Sequence, residues 1–247
     1  MKKLIKTLSV AIFAALIFTA CSSDNSDYKD MYEGFVTVEN PDSTTTFYLI
    51  TDNALRLLTT TEKFIPAHRV RLFARFAIDE KMPEGSEYDY KVELISCQGV
   101  MTKNIFNITP ETQDSIGNDP IEIRDLWIAS DYLNVEFVIY YYNINKHYFN
   151  LVTDTSRHYN DDALHFELRH NANNDYPYEP ARGYASFDIL PLRVVADSDS
   201  LNLVIHSKEY GSGEKTRTIV YKFSPKENKI RKLENCHNSP NSSAFFK

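Results

Sequence analysis

At 247 residues and a formal charge of −7, with 34 acidic against 27 basic side chains, the chain has no basic patch, arginine-rich helix or aromatic–basic interleaving of the kind that tracks phosphates. A nucleic-acid partner is excluded on that ground. Thr, Val, Ile, Tyr and Phe dominate, the aromatic share is 13% and period-two alternation recurs where helical periodicity is hard to find, which points to an all-β protein.

Taken from the start, Lys2, Lys3 and Lys6 precede Leu8 to Phe18, an uncharged run too short for a permanent bilayer-crossing helix, which takes roughly 20 apolar residues. Residues 1–20 therefore read as a signal peptide. The run closes on Phe18-Thr19-Ala20-Cys21, which resembles the lipobox of bacterial lipoproteins, with Phe18 where Leu is usual. The resemblance implies cleavage after Ala20 and a diacylglycerol on the Cys21 sulfur, so the expected partner of the N-terminus is a membrane. Loss of residues 1–20 removes three lysines and no acids, taking the charge from −7 to −10. Residues 21–33, polar and acidic from Ser22 to Asp30, bury too little to fold and read as a flexible tether. This stretch partly resembles the surface-export signal of Bacteroides-type lipoproteins, which leaves the periplasmic and the cell-surface faces of the outer membrane both open.

Five strand patterns follow in residues 34–118: Gly34 to Glu39, Phe47 to Ile50, Arg56 to Thr60, Arg69 to Ile78, and Tyr88 to Thr102 with a break near Gln98-Gly99. Five strands in this length suit a small OB-like β-barrel, with an open antiparallel sheet as the alternative. In Arg69 to Ile78, Val70, Leu72, Ala74, Phe76 and Ile78 share the core face, and Arg69, Arg71, Phe73 and Arg75 mark the wetter one. Residues 103–124 are rich in breakers and acids, which reads as a linker with the boundary near Asp119-Pro120. From 119 to 235, Ile121 to Ile128, Leu133 to Tyr142, Tyr148 to Thr153, Leu164 to His170, Ala185 to Leu190, Leu201 to His206 and Thr218 to Phe223 read as an antiparallel β-sandwich, with Trp127 plugging its core. Residues 236–247 form a polar tail.

Three segments of the second half carry a resemblance. Asp125-Leu126-Trp127-Ile128-Ala129-Ser130-Asp131-Tyr132-Leu133-Asn134-Val135, His147-Tyr148-Phe149-Asn150-Leu151-Val152 and Leu168-Arg169-His170-Asn171-Ala172-Asn173-Asn174-Asp175 resemble the NigD-like lipoproteins of Bacteroides-type bacteria. Membership implies an N-terminal OB-type domain and a C-terminal β-sandwich. The family name comes from association with a bacteriocin operon, which implies immunity or export as possible roles and supplies no catalytic residues.

No G-x-S-x-G elbow, phosphate-binding glycine loop, CxxC or zinc helix occurs, so the expectation is a protein with no catalytic residue, no metal and no cofactor. The densest polar segment, His147 to Glu179, holds His158, His165 and His170 with Asp154, Asp161, Asp162 and Asp175. Strand parity sends His165 and His170 to opposite faces, so these histidines read as surface groups and not zinc ligands. The loop His170 to Asp175 lacks the acid–glycine–glutamate order of a calcium loop and reads as a turn. Tyr176 and Tyr178 at its edge, together with Arg69, Arg71, Phe73 and Arg75, are the candidate binding surface, against the plainer reading that the arginine face packs under a neighbour or pairs with local acids. Ser43, Ser115 and Ser200 each follow an Asp in a predicted turn and resemble a short O-glycosylation sequon. Cys97 reads as a small buried thiol, or as a disulfide partner of Cys236. The functional expectation is a monomeric, non-catalytic envelope lipoprotein that binds a glycan or protein. The alternatives are a bacteriocin-immunity factor and a hydrolase, which would need two carboxylates flanking a cleft.

Overall fold

The computed structural model describes residues 29–39, 47–60, 69–196 and 198–223. Cys21, Ser43 and Cys236 lie outside the described residues. The first five strands are β1 (Met31–Glu39), β2 (Tyr48–Thr51), β3 (Arg56–Thr59), β4 (Val70–Lys81) and β5 (Tyr90–Gly99), and they close into a barrel in the order β1-β2-β3-β5-β4. Alternation builds its interior. Val36, Val38, Leu49, Leu57, Leu72, Ala74, Phe76, Val92 and Leu94 point inward and pack as one cluster. Two register shifts in the β4–β5 ladder, at Arg75/Phe76 and Ile78/Glu80, bend the long strands around so small a barrel.

Past Val100 the chain leaves the barrel. The following elements are β6 (Met101–Asn104), β7 (Phe106–Asn107), the helical turn α1 (Gln113–Ile116), β8 (Glu122–Ala129), β9 (Tyr132–Tyr141), β10 (Tyr148–Thr153), β11 (Leu164–Asn171), β12 (Glu179–Asp188), β13 (Ser200–Glu209) and β14 (Gly213–Lys222). They form two facing sheets, β14-β13-β11-β10-β7 and β6-β12-β9-β8. The core between them holds Leu133, Val135, Phe137 and Ile139 of β9 against Phe149, Leu151, Phe166, Leu168, Leu203 and Ile205. The sandwich thus begins before the boundary near Asp119-Pro120, because β6 and β7 are too short to show alternation and their neighbours are breaker-rich. Three of its ladders are parallel: β6–β12, β7–β10 and β11–β13. Strand β12 lies in the opposite sheet, so β13 returns beside β11 in the same direction.

Gly117 ends α1 at φ 70° and ψ 178°, a region other residues avoid. A Cβ there would lie 2.8 Å from the Cβ of Asn171, whose amide donates to the Ser115 carbonyl. Gly117→Ala is therefore expected to cost about 2 kcal/mol, read as a lower urea midpoint with unchanged slope.

The barrel docks on the outward face of the four-stranded sheet. Phe35 packs with ring centroids 5.5 Å from Trp127 and 5.0 Å from Tyr184. Arg71 is 0% exposed. It pairs with Asp52 at 2.7 Å and donates to the Thr37 hydroxyl at 3.1 Å, while the other Asp52 oxygen accepts from the Trp127 indole at 2.8 Å. Arg69 bonds Glu39 at 2.7 Å, donates to the Ser130 carbonyl and lies 4.5 Å over the Tyr132 ring. Two sequence expectations are corrected here: Trp127 seals the junction between the two units, not the sandwich core, and Arg71 is on no wet face. Strand parity separates the inside of the barrel from its outside. It carries no signal that a second domain covers that outside.

Candidate functional site

The end of the sandwich away from the barrel carries the largest concentration of exposed aromatic side chains. Tyr142 is 73% exposed and Tyr176 and Tyr178 are each 69% exposed. Register explains the grouping: Tyr141 stands opposite Glu179, which brings Tyr142 beside Tyr178 with ring centroids 6.4 Å apart. Tyr140 meets Tyr210 edge-on at 5.2 Å, and the Tyr210 hydroxyl accepts from the Tyr140 amide. Eight residues of β9 separate Tyr132 at the barrel junction from Tyr140, about 27 Å at the usual strand rise.

The loop bearing Tyr176 and Tyr178 is fixed from within. Ala172 to Asp175 is a tight turn whose central residues, Asn173 at φ 46° and Asn174 at φ 56°, occupy the left-handed region that Asn tolerates. Both Asn143 and Tyr142 donate their backbone N–H to Asp175 Oδ2 at 2.7 Å, and His147 Nε2 lies 3.1 Å from the same oxygen. His147 Nδ1 is 2.8 Å from His170 Nε2, and His170 Nδ1 is 2.8 Å from the Pro120 carbonyl. A carbonyl only accepts, so His170 carries its proton on Nδ1 and offers a lone pair at Nε2. His147 Nδ1 then donates to His170 Nε2, and its Nε2 faces the Asp175 carboxylate. Burial pushes the His170 imidazole down to about 4, against the pull of the Pro120 carbonyl. Burial alone would raise the Asp175 carboxyl. The Asn143 and Tyr142 amides and His147 reverse that and hold it well below the usual carboxylate range.

A second histidine pair lies on the outward face of the five-stranded sheet that also carries His170. His165 Nε2 is 2.8 Å from Asp161, its Nδ1 is 2.9 Å from His206, and the Tyr159 ring stacks on it at 3.5 Å. In both pairs the ring nitrogens are spent on each other and on carboxylate, carbonyl or hydroxyl partners, leaving no convergent lone pairs for a metal. Among the described residues, no cluster of three or more His, Cys, Asp or Glu could hold one. The Asp175–His147 unit has the form of a base and its orienting acid, yet the position a nucleophile would occupy is filled by His170, which ends on a backbone carbonyl. His170 is thus a buried structural group and not a surface histidine, as is its partner His147, while His165 and His170 do lie on opposite faces of β11.

Of the arginine face, Arg75 alone is exposed; Arg69 and Arg71 are bound as described, and Phe73 packs edge-on against Phe35. That face is a junction and not a free binding surface. Tyr176 and Tyr178 are free, and the missed members, Tyr140 and Tyr142, were signalled by the outward face of β9 turning aromatic at its end. Ser115 lies in α1, its hydroxyl donating to the Thr112 carbonyl, and Ser200 opens β13, so neither sits in the predicted turn. Cys97 is exposed and not a buried thiol.

Known proteins supply the context. Residues 104–221 match the NigD-like C-terminal beta sandwich domain. A protein of unknown function from Bacteroides vulgatus is 26% identical, with a TM-score of 0.64 over 79% of this chain and 92% of that chain. A NigD-like immunity protein from Bacteroides caccae is 20% identical, with a TM-score of 0.56 over 79% of this chain and 97% of that chain. A Bacteroides fragilis protein provisionally designated a lipoprotein is 13% identical, with a TM-score of 0.55 over 80% of this chain and 100% of that chain. No curated protein matches. Among the described residues no helix is long and apolar enough to cross a membrane. Behind its closed five-stranded barrel, the chain carries a NigD-like C-terminal beta sandwich domain over residues 104–221.

Proposed function

We propose that this protein is a non-catalytic, lipid-tethered binding module of the outer membrane that presents its tyrosine-bearing end to an envelope saccharide. The observation that carries the reading is the position of that end. Lys29, eight residues after Cys21, pairs with Asp79 at 2.8 Å and Glu93 at 2.9 Å. Asp79 lies nine residues along β4 from Val70, at the opposite end from the sandwich junction. The order is then tether, barrel, sandwich, tyrosines, which carries the aromatic rings away from the bilayer. Tyrosine supplies contact area at low entropic cost. A role without chemistry is supported by the way both histidine pairs are closed on themselves.

A protective role against a toxin is the second reading. The designation of the Bacteroides caccae structure suggests it, and at 20% identity that likeness carries the fold alone.

Two experiments test the proposal. Wild type is expected to incorporate palmitate and Cys21→Ala to incorporate none; equal labelling contradicts the tether. Co-purification from detergent-solubilised envelopes is expected to enrich a saccharide with wild type and not with Tyr142→Ala/Tyr178→Ala. Both changes are at exposed positions and should move stability by no more than about 0.5 kcal/mol. Enrichment of a protein toxin instead would favour the immunity reading.

A further inference from the structure

A cleft of about 490 Å³ lies where the barrel meets the sandwich, within the range of roughly 300–1,000 Å³ typical of small-molecule sites. Its walls come from the start of β4, from β6 and the residues after it, and from Tyr132, Asn150 and Asp188. Two of its cations have donors to spare. Arg69 commits Nε to Glu39 and Nη2 to Ser130, and its Nη1 is buried with no hydrogen-bond partner. Lys103 spends two of its three hydrogens on neutral acceptors, the Phe149 carbonyl at 2.8 Å and the Asn150 side-chain oxygen at 3.2 Å. Among the described residues no carboxylate lies within ion-pair distance of Lys103, and burial pushes its ammonium pKa down. A half-buried ammonium with no counter-ion among the described residues, lining a cleft beside the Arg69 guanidinium, is unfinished electrostatics.

We propose that this cleft binds the carboxylate of an acidic sugar, a uronic acid unit, with Lys103 Nζ holding the anion, the Arg69 guanidinium adding its charge from the cleft wall and Asp188 accepting from a ring hydroxyl. One Asp188 oxygen already accepts from the Leu190 amide, which leaves the other for the ligand. The same Asp188 charge disfavours a dianionic phosphate, so a monoanion with hydroxyl donors fits best. This site stands apart from the tyrosine end and does not depend on it.

Calorimetry on the full lipidated protein in detergent, titrated with trigalacturonate and with its neutral methyl ester, tests the assignment. Saturable binding of the acid is expected, with the ester at least tenfold weaker. Lys103→Met should lose at least tenfold. Asn150→Asp places a carboxylate beside Lys103, keeps the fold by supplying the counter-ion, and should also abolish binding; it decides the matter if Lys103→Met does not fold. Equal affinity for acid and ester, unchanged binding in Asn150→Asp, no heat at all, or inorganic phosphate binding as tightly as trigalacturonate would each overturn the proposal.

Discussion

Asp52→Ala is expected to lower the stability of the protein by about 3 kcal/mol and to shift the emission of Trp127 to the red. Asp52 is the only carboxylate paired with Arg71 among the described residues, and Arg71 is 0% exposed. Removing one partner of a buried pair leaves the other charge uncompensated, at a cost of about 3–5 kcal/mol. Arg71 keeps the Thr37 hydroxyl, which places the loss at the lower end. Trp127 loses its acceptor in the same step and is the sole tryptophan, so selectively excited tryptophan emission reports this junction alone. Asp52→Asn retains an acceptor for the indole without the charge and should fall between. Unfolding in urea with an unchanged midpoint and unchanged emission would contradict the bridging role.

His170 makes stability depend on pH in the range between about 4 and 6.5. Its imidazole stays neutral in the folded chain down to about pH 4, whereas the ordinary value is 6.5. Between these values the unfolded chain binds more protons, so stability falls as the pH drops from about 6.5 to 4 and is recovered above 6.5. A shift of this size corresponds to about 3 kcal/mol. Two titratable groups face the ring: His147, which disfavours protonation, and Asp119, which opposes that. The test compares wild type with His170→Gln at pH 4.5 and 7.5. The stability difference between the two proteins should change with pH by most of that amount. A constant difference across the range would show that His170 does not titrate as described.

The sequence already showed much of the architecture, and its failures have physical causes. The five barrel strands and most sandwich strands were visible because one face of each is buried and alternation marks it, as in Val70 to Phe76 or Leu133 to Ile139. The boundary was misplaced because the four residues of β6 and two of β7 are too short for any period to register. The junction was invisible for a different reason: Arg71, Trp127, Asn134 and Ser186 occupy outward positions covered by the other unit, so Arg71 was read as lying on the wetter face and Trp127 as a core residue. Ser186 donating to Asn134 at 2.7 Å shows how such groups are satisfied there. Tyr176 and Tyr178 were legible as contact residues since breakers around them mark a surface loop. The His147–His170 pairing was not, because it joins the start of β10 to the end of β11 and places a polar ring against Phe149, 4.9 Å away in the core. Lys103 and Asn150, 47 residues apart, gave no sequence signal of a shared cleft.

A glycan array probed with the lipidated protein, in parallel with Tyr142→Ala/Tyr178→Ala, tests the central claim most directly. The account predicts that wild type retains a defined set of envelope saccharides unaltered and that the double variant, equally folded, retains them at least tenfold less. Identical profiles for the two proteins, or cleavage of an arrayed glycan by wild type, would contradict it.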